Sequence, residues 1–390
     1  MSIKNTNERK SNFELMRIVS MIFIIVYHII FHICSIYSYQ MSNMTFMILR
    51  FIIAIVIVHV NSFIIISGYF QCNKEFKLSK VIKLNNITWF YGVLFLVLAL
   101  ILSKYYGFSL TYPIKQIDIY KTLVPLDYGN YWFIDLYLLL YIFTPVLNKV
   151  IKYFDKKGLL KIIIVSFIIF SIIPTLTIDG VVYTNEGHSI LIFILLYFIG
   201  AYLRLYPISE NKLLSKYSNT ARKTFYFIMF IFMAFISLLF YNMSVQLGHG
   251  TSNEIIKHFS EIFFNFYNSF GSPIIIIQSI FYFLFFSTIS LKSKIINIIS
   301  KCVFGIYLIH ENIYIRDNFY KIIPWFKTKY FGYKHIGMIF VVALLMFITC
   351  IIIDLVRKVI FKMISKLKIS RKIVNSFKNY FNNLGLRINW

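Results

Sequence analysis

Two ionisable residues, Arg17 and His28, interrupt the first apolar segment of the chain, ELMRIVSMIFIIVYHII. In an α-helix, a separation of eleven residues places them within about 20° of one face and about 16 Å apart along the axis. One side chain is then near a membrane surface and the other deep in the apolar region, where an ionisable group is costly without a partner or a function. The pair indicates either chemistry or two structural roles, a surface anchor and a bond to a neighbouring helix.

Three other apolar segments also carry polar side chains. His59 lies in the second segment, Asp135 and Tyr137 in the fourth, and His310 and Glu311 in the ninth. Asn, Ser and Tyr in such segments commonly hydrogen-bond between helices, whereas histidines and acids need a further explanation.

The histidines and acids are compatible with a proton path, a metal site or an acid–base site. Metal binding is the weakest of these interpretations, because only His28 and His32 share a segment at ligand spacing, and His32 approaches the outer surface. We therefore predict no metal.

The composition establishes the class of protein. Hydrophobic residues make up 59% of the chain and charged residues 14%, and the mean hydropathy is +0.73. Apolar runs long enough to span a bilayer recur throughout, so the chain is a polytopic membrane protein. The net charge of +25 comes from Lys and Arg between and after these runs. This distribution predicts contact with anionic lipid headgroups, and no nucleic acid partner.

We predict an all-α bundle of about ten transmembrane helices. The second apolar segment is long and the ninth is short, so a tilted or broken helix is expected at either one. The ten predicted segments are 15–38, 45–70, 86–103, 131–151, 159–176, 189–206, 224–242, 273–291, 302–316 and 336–356.

The C-terminal segment, residues 357–390, is predicted to be a separate basic tail after a transmembrane domain formed by residues 1–356. Within 357–384, apolar residues recur at helical spacing with lysines between them. This pattern is typical of an amphipathic helix lying on an anionic leaflet, and the alternative is a solvated basic tail.

Four sequence motifs resemble the acyltransferase family 3 membrane proteins, particularly the branch that O-acetylates cell-surface polysaccharides. Their order along the chain is the order in that family. They are NFELMRIVSMIFIIVYH at 12–28, VNSFIIISGYF at 60–70, YWFIDLYLLLYIFTPVLN at 131–148 and FGIYLIHEN at 304–312.

The resemblance implies acyl transfer from a cytoplasmic acyl-CoA, commonly acetyl-CoA, to a glycan hydroxyl outside the membrane. Arg17 would pair with the CoA phosphates, and His28 would act as a general base or carry the acyl group transiently. Glu14, one turn before Arg17, either orients the guanidinium or forms a simple surface pair with it. The family often places arginines where this chain has Lys80 and Lys83, which weakens the phosphate-binding role expected there.

Further site residues follow from the same resemblance and from position in the chain. His310 and Glu311 are expected to complete the catalytic site. Asp135, Tyr137 and His59 are expected to contact the glycan acceptor.

Two other functions are compatible with the residues. A secondary transporter or a flippase of envelope precursors would also place histidines and acids in a helix bundle. A structural partner in an envelope-synthesis complex would not need the spacing of Arg17 and His28. Against a transporter, the two halves of the chain show no repeat symmetry.

The basic residues predict that both termini of the protein face the cytoplasm. With the N-terminus inside, cytoplasmic segments hold 30 of the 40 Lys and Arg and outer segments hold 10, as the positive-inside rule requires of a cell-membrane protein. Reporter fusions or cysteine labels at residues 1 and 390 should both report the cytoplasm. Termini on opposite sides would mean an odd number of spans and a wrong helix assignment.

Overall fold

The protein is described here by a computed structural model in which the defined part of the chain is almost entirely helical. The described residues are 10–36, 40–106, 114–123, 131–177, 180, 184–208, 216–248 and 251–364. Their α-helices are α1 Ser11–Ile36, α2 Asn43–Val56, α3 His59–Gln71, α4 Leu78–Tyr106, α5 Gln116–Leu123, α6 Trp132–Tyr153, α7 Lys156–Phe167, α8 Ile173–Thr177, α9 Ile190–Leu205, α10 Asn219–Gly248, α11 Glu254–Asn268, α12 Pro273–Ser287, α13 Lys294–Ile299, α14 Val303–His310, α15 Ile313–Ile322 and α16 Tyr333–Ile364.

The all-α polytopic bundle predicted from the sequence is confirmed. In the described part of the chain, eight helical units are long and apolar enough to cross a membrane, and a ninth consists of α13 and α14 followed by α15 after a bend of 65°. The shorter apolar helix α9 has 16 residues. Each of the ten predicted segments falls on one of these units.

The expected irregularities also occur where the sequence placed them. The long second segment forms one unit of 29 residues, Asn43–Gln71, which is interrupted at Ile57 and Val58 between α2 and α3. The short ninth segment breaks at Glu311 and Asn312, between α14 and α15.

Helix α1 lies at the centre of the bundle. It packs against α2, α3, α12, α14 and α16. Met16 near its start belongs to one hydrophobic core and Ile25 and Ile29 belong to a second, and all three are fully buried. The side chains of α1 therefore face protein on most sides, so Arg17 and His28 are held among neighbouring helices.

Helices α3 and α9 approach each other through two glycines. A Cβ atom at Gly68 would lie 2.1 Å from the carbonyl oxygen of Tyr197, and one at Gly200 would lie 2.1 Å from that of Ile65. Small residues permit this close packing between membrane helices, where dispersion contacts replace the hydrophobic effect. The contact gives the SGYF motif of the second span a physical role.

The interruption between α2 and α3 is stabilised by side chains at membrane depth. The amide of Gln278 donates to the carbonyl oxygen of Ala54 at 2.9 Å, and Nδ1 of His59 contacts that of Val56 at 2.7 Å. Polar backbone groups buried in an apolar environment need such partners. His59 thus has a structural role in the helix, whatever else its ring contacts.

A second irregular segment, between α11 and α12, is held by three other parts of the chain. Phe270 donates its N–H to Glu186 at 2.9 Å, and its carbonyl oxygen accepts from Asn61 at 2.9 Å. Ser171, in a π-helical turn at Ile168–Ile172, donates to the carbonyl oxygen of Gly271 at 2.6 Å.

The start of the predicted tail is part of the last long helix. Helix α16 continues through Arg357 to Ile364, so residues 357–364 extend the final span. The remainder of the predicted amphipathic segment lies outside the described residues.

Enlarging Gly200 should destabilise the bundle, because any side chain there meets the backbone of α3. For Gly200→Ala we expect the thermal unfolding midpoint of the purified protein to fall, with a cost of about 1–3 kcal/mol typical of overpacking. Gly337→Ala is the matched control, since nothing lies within 4 Å of a Cβ atom there. Equal midpoints for the two variants would contradict the close α3–α9 contact.

Candidate active site

His28 of α1 meets His310 and Glu311 at the break between α14 and α15. Its Nδ1 atom lies 3.2 Å from Nε2 of His310 and 2.9 Å from Oε1 of Glu311. His32, one turn further along α1, places Nε2 3.7 Å from the same carboxylate oxygen. We call these four residues the histidine cluster. The structure thus brings together the three residues that the sequence analysis assigned to catalysis.

The chain break places Glu311 in the cluster. Asn312 caps α15 by accepting a hydrogen bond from the N–H of Tyr314 at 3.0 Å. Its amide nitrogen donates to the hydroxyl of Tyr131 at 2.8 Å, and that hydroxyl donates to the carbonyl oxygen of Leu308 at 2.9 Å. These bonds join both sides of the break to Tyr131, the residue just before α6, and fix the backbone at Glu311.

The hydrogen bonds also determine the tautomers of the two rings. Nδ1 of His310 lies 2.7 Å from the carbonyl oxygen of Ile306, which can only accept, so Nδ1 carries the proton. In the neutral His310 ring, Nε2 then accepts from Nδ1–H of His28. Neutral His28 consequently carries its lone pair on Nε2, the atom a general base or nucleophile would use.

Glu311 supplies negative charge beside this ring. Its side chain is 12% exposed, and its other oxygen, Oε2, lies 3.4 Å from Nη1 of Arg316. A buried carboxylate next to Nδ1 of an imidazole orients the ring and stabilises the imidazolium formed when Nε2 takes a proton. His28, His310 and Glu311 therefore form an arrangement suited to acid–base chemistry.

The same three residues form a donor set that satisfies the distances of a metal site, since their ligand atoms lie within 4.8 Å of one another. The separation of 3.2 Å between Nδ1 of His28 and Nε2 of His310 fits a hydrogen bond with the proton on His28, and it also fits two deprotonated ligands of one ion. The absence of a metal therefore stays a prediction from the sequence.

Aromatic rings surround the histidine cluster on another side. The ring of His59 lies 6.5 Å from that of His28 and 5.2 Å from that of Tyr27, measured between centroids. His59 is 2% exposed, and its ring also meets Phe270 at 5.5 Å. The structure therefore places His59 beside the catalytic candidates.

Sequence reasoning missed His188, which reaches this region from the loop before α9. Its ring lies 4.2 Å from Trp132 and 5.2 Å from Phe270. The preceding residues Asn185 and Glu186 have φ of 45° and 53°, a left-handed conformation that asparagine tolerates and that is unfavourable for glutamate. The Asn-Glu-Gly-His sequence signalled a tight turn but did not show that it enters the bundle.

Arg17 lies at the other end of α1 in a pair with Glu14, at 2.7 Å between Nη1 and Oε1. The Glu14 side chain is 9% exposed and that of Arg17 is 25% exposed. The guanidinium also lies 5.6 Å from the ring centroid of Phe70. Of the two interpretations of Glu14, a partly buried orienting carboxylate fits better than a surface pair.

Lys80 lies near Arg17's end of the bundle, with Nζ 4.1 Å from the ring centroid of Tyr141 and 5.8 Å from that of Tyr137. Tyr137 accepts a weak hydrogen bond from Gln71 at 3.4 Å. Lys83, one turn beyond Lys80, is exposed. The two lysines that the sequence analysis considered together therefore differ in their surroundings. Lys80 lies beside Tyr137 and Tyr141, whereas Lys83 is exposed.

Sequence reasoning also missed the other cations at this end. Arg204 donates to the Tyr69 hydroxyl at 3.3 Å and lies 5.1 Å from that ring centroid. Lys10 lies 5.9 Å from the Tyr69 ring and Lys74 lies 6.0 Å from the Phe70 ring. We call the five cations the basic cluster: Lys10, Arg17, Lys74, Lys80 and Arg204.

A column of aromatic rings connects the two clusters. Tyr137 stacks on Phe133 at 6.1 Å, Phe133 meets Tyr307 at 5.9 Å, and Tyr307 meets His310 at 5.9 Å. Asp135 is half-buried on the same helix, α6, within electrostatic range of Tyr307. We call Tyr137, Phe133 and Tyr307 the aromatic column.

The sequence profile of a family described as an acyltransferase domain matches residues 10–357. No curated protein and no solved structure matches the chain. The profile covers the histidine cluster, the basic cluster and the aromatic column, and it favours the enzyme over the transporter and the structural partner. The chain is a multi-pass membrane acyltransferase and belongs to acyltransferase family 3.

Proposed function

We propose that the protein is an O-acetyltransferase of the cell membrane that moves an acetyl group from cytoplasmic acetyl-CoA to a hydroxyl of a cell-surface polysaccharide. The observation that carries this proposal is the His28 ring, whose Nδ1 is engaged by His310 and Glu311 and whose Nε2 lone pair remains for the reaction. Acyl transfer to a hydroxyl needs such a base at neutral pH.

The basic cluster supports a site for the donor. CoA carries phosphates and an adenine ring, which cations and aromatic side chains bind well. Arg17, Lys80 and Arg204 all lie against aromatic rings, and the excess of basic residues supports a cytoplasmic location for this end of the bundle. The number of residues from Arg17 to His28 corresponds to about 16 Å, a distance that the pantetheine arm of CoA spans.

The aromatic column supports the route of that arm. Its three rings run from Lys80 to His310, so the thioester can reach the histidine cluster along an apolar surface. Tyr137 belongs to the donor side in this proposal, whereas Asp135 and His59, closer to the histidine cluster, keep their proposed contact with the acceptor.

The reaction uses the lone pair on His28. The acceptor hydroxyl oxygen attacks the thioester carbonyl carbon while Nε2 of His28 takes the hydroxyl proton, and Glu311 stabilises the resulting imidazolium. The tetrahedral intermediate collapses by breaking the carbon–sulfur bond. The CoA thiolate leaves and takes the proton from His28, which restores the neutral ring.

His28→Ala should abolish acetyl transfer while the protein still inserts. Loss of a general base typically lowers the rate about 10²–10⁴-fold. The measurement is the acetyl content of the surface glycan, by mass spectrometry, with and without the variant protein. His258→Ala is the matched control, because this histidine is exposed on α11, and it should remain fully active.

Two outcomes would contradict this mechanism. Normal glycan acetylation by His28→Ala would remove His28 from the reaction. An acetyl group found on His28 after incubation of the purified protein with acetyl-CoA alone would replace the general base by a nucleophile.

Arg17→Ala should weaken donor binding rather than stop the chemistry. Loss of a charge-assisted bond costs about 1.5–3 kcal/mol, or about 10- to 150-fold in affinity. Arg17→Lys should recover only part of this loss, because an ammonium lacks the bidentate geometry of the guanidinium. The measurement is the KM for acetyl-CoA, compared with the KM for the glycan.

The pair with Glu14 requires a second variant, since Arg17→Ala also leaves a partly buried carboxylate without its partner. Glu14→Gln/Arg17→Ala removes that charge. If Arg17 binds the donor, the high KM for acetyl-CoA persists in the double variant. A donor KM that returns to the wild-type value would reduce Arg17 to a partner of Glu14.

A further inference from the structure

Arg50 is a charged residue inside the second membrane span. It lies on α2, seven residues after the start at Asn43, which corresponds to about 10 Å along the helix axis. An arginine inside a membrane span is costly unless it has a partner or a function. Neither the histidine cluster nor the basic cluster includes it.

Two aromatic rings fix the guanidinium of Arg50. Its Cζ atom lies 4.8 Å from the ring centroid of Phe46, one turn earlier on α2, and 4.9 Å from that of Tyr241 on α10. The side chain therefore extends toward the N-terminal end of α2. Aromatic contacts use the faces of a guanidinium and leave the N–H groups at its edge for hydrogen bonds. The hydroxyls of Tyr241 and Tyr267 accept such bonds, but these neutral groups do not balance the charge.

No carboxylate neutralises Arg50 among the residues that the structure describes. Three other described arginines each have one: Arg17 with Glu14, Arg316 with Glu311, and Arg357 with Asp354. Arg204 and Arg222 form no ion pair with a described residue either, but they lie at the basic end of the bundle. Glu186 lies within electrostatic range of Tyr27, as Arg50 does, yet it makes no ion pair with Arg50.

Arg50 lies beside the part of α1 around and after His28. It is within electrostatic range of both Tyr27 and Cys34, and the ring of Tyr27 meets that of His59 at 5.2 Å. Its guanidinium extends toward the end of the bundle where Gln40 hydrogen-bonds to the segment before α16. This is the end opposite the basic cluster, from which the glycan approaches in the proposed function.

We infer that Arg50 binds an anionic group, a carboxylate or a phosphodiester, carried by the acceptor glycan. The inference rests on the proposed function and adds a chemical class to the acceptor. Binding of such a group would supply a counter-charge that no described residue gives to Arg50, and it would hold the glycan on the side of α1 that leads to His28. A phospholipid headgroup offers the same phosphate chemistry and is the competing source.

The test uses the purified full-length protein, acetyl-CoA and the glycan fraction extracted from cells that make the protein. The KM for the glycan is measured for wild type, Arg50→Gln and Arg50→Lys, in a phospholipid-free non-ionic detergent and in bilayer nanodiscs. Lys334→Gln is the matched control, since it removes an exposed cation near the segment that pairs with Gln40.

We expect Arg50→Gln to raise the KM for the glycan about tenfold or more in both preparations, to leave the KM for acetyl-CoA unchanged, and to be partly rescued by Arg50→Lys. The wild-type KM for the glycan should rise with salt, because ions screen the pair. That rise should be smaller in Arg50→Gln and unchanged in Lys334→Gln.

Three results would overturn the inference. They are an unchanged KM for the glycan in Arg50→Gln, an effect seen only when phospholipid is present, and a wild-type KM for the glycan that does not depend on salt. The last result needs no variant, so the test stands even if Arg50→Gln fails to fold. A wild-type protein that transfers no acetyl group would instead refute the proposed function.

Discussion

The structure depends on one constraint: in the apolar part of a membrane, each backbone N–H and C=O must find its partner within the protein. Straight helices meet this constraint by themselves, and interrupted helices do not. In this protein the interruptions at Ile57–Val58 and Ser269–Ser272 are satisfied by Gln278, His59, Asn61 and Ser171. Much of the polar content of the spans is thereby explained without reference to a substrate.

A third interruption, at Glu311 and Asn312, places ionisable groups at the centre of the bundle. A regular helix would direct the residue after His310 along its own surface, whereas the break turns Glu311 toward α1. The rigid bonds from Asn312 to Tyr131 and from Tyr131 to Leu308 then hold the carboxylate against His28. The same irregular segment thus supplies the cap of α15 and the acid of the proposed site.

A separate set of charges stabilises the C-terminal part of α16. Asp354, with no exposed side-chain surface, pairs with Arg357 at 2.8 Å and Lys358 at 2.8 Å, and accepts from the Tyr91 hydroxyl at 2.9 Å. Gly305 permits this arrangement, because a Cβ atom there would meet the Asp354 carboxylate. The glycine of the FGIYLIH motif therefore serves packing, while His310, five residues later, lies in the proposed site.

The fold class, the spans and their irregular members could be predicted from apolar length alone. The meeting of His28 with His310 and Glu311 could be proposed only through the family motifs, because residues 282 positions apart have no common spacing. His188 and Arg204 could not be found in this way. The first depends on a left-handed turn that enters the bundle, and the second on how α9 lies against α3.

The position of His28 inside the bundle, with the basic cluster at the other end of α1, has an energetic consequence. In the proposed reaction the acetyl group moves outward and a proton moves inward in its place, because a neutral thioester becomes a neutral thiol and a neutral hydroxyl becomes a neutral ester. No net charge crosses the membrane, so the membrane potential neither drives nor opposes the transfer. The free energy then comes from the difference between a thioester and an ester, and modification of the cell surface depends on the cytoplasmic supply of the thioester.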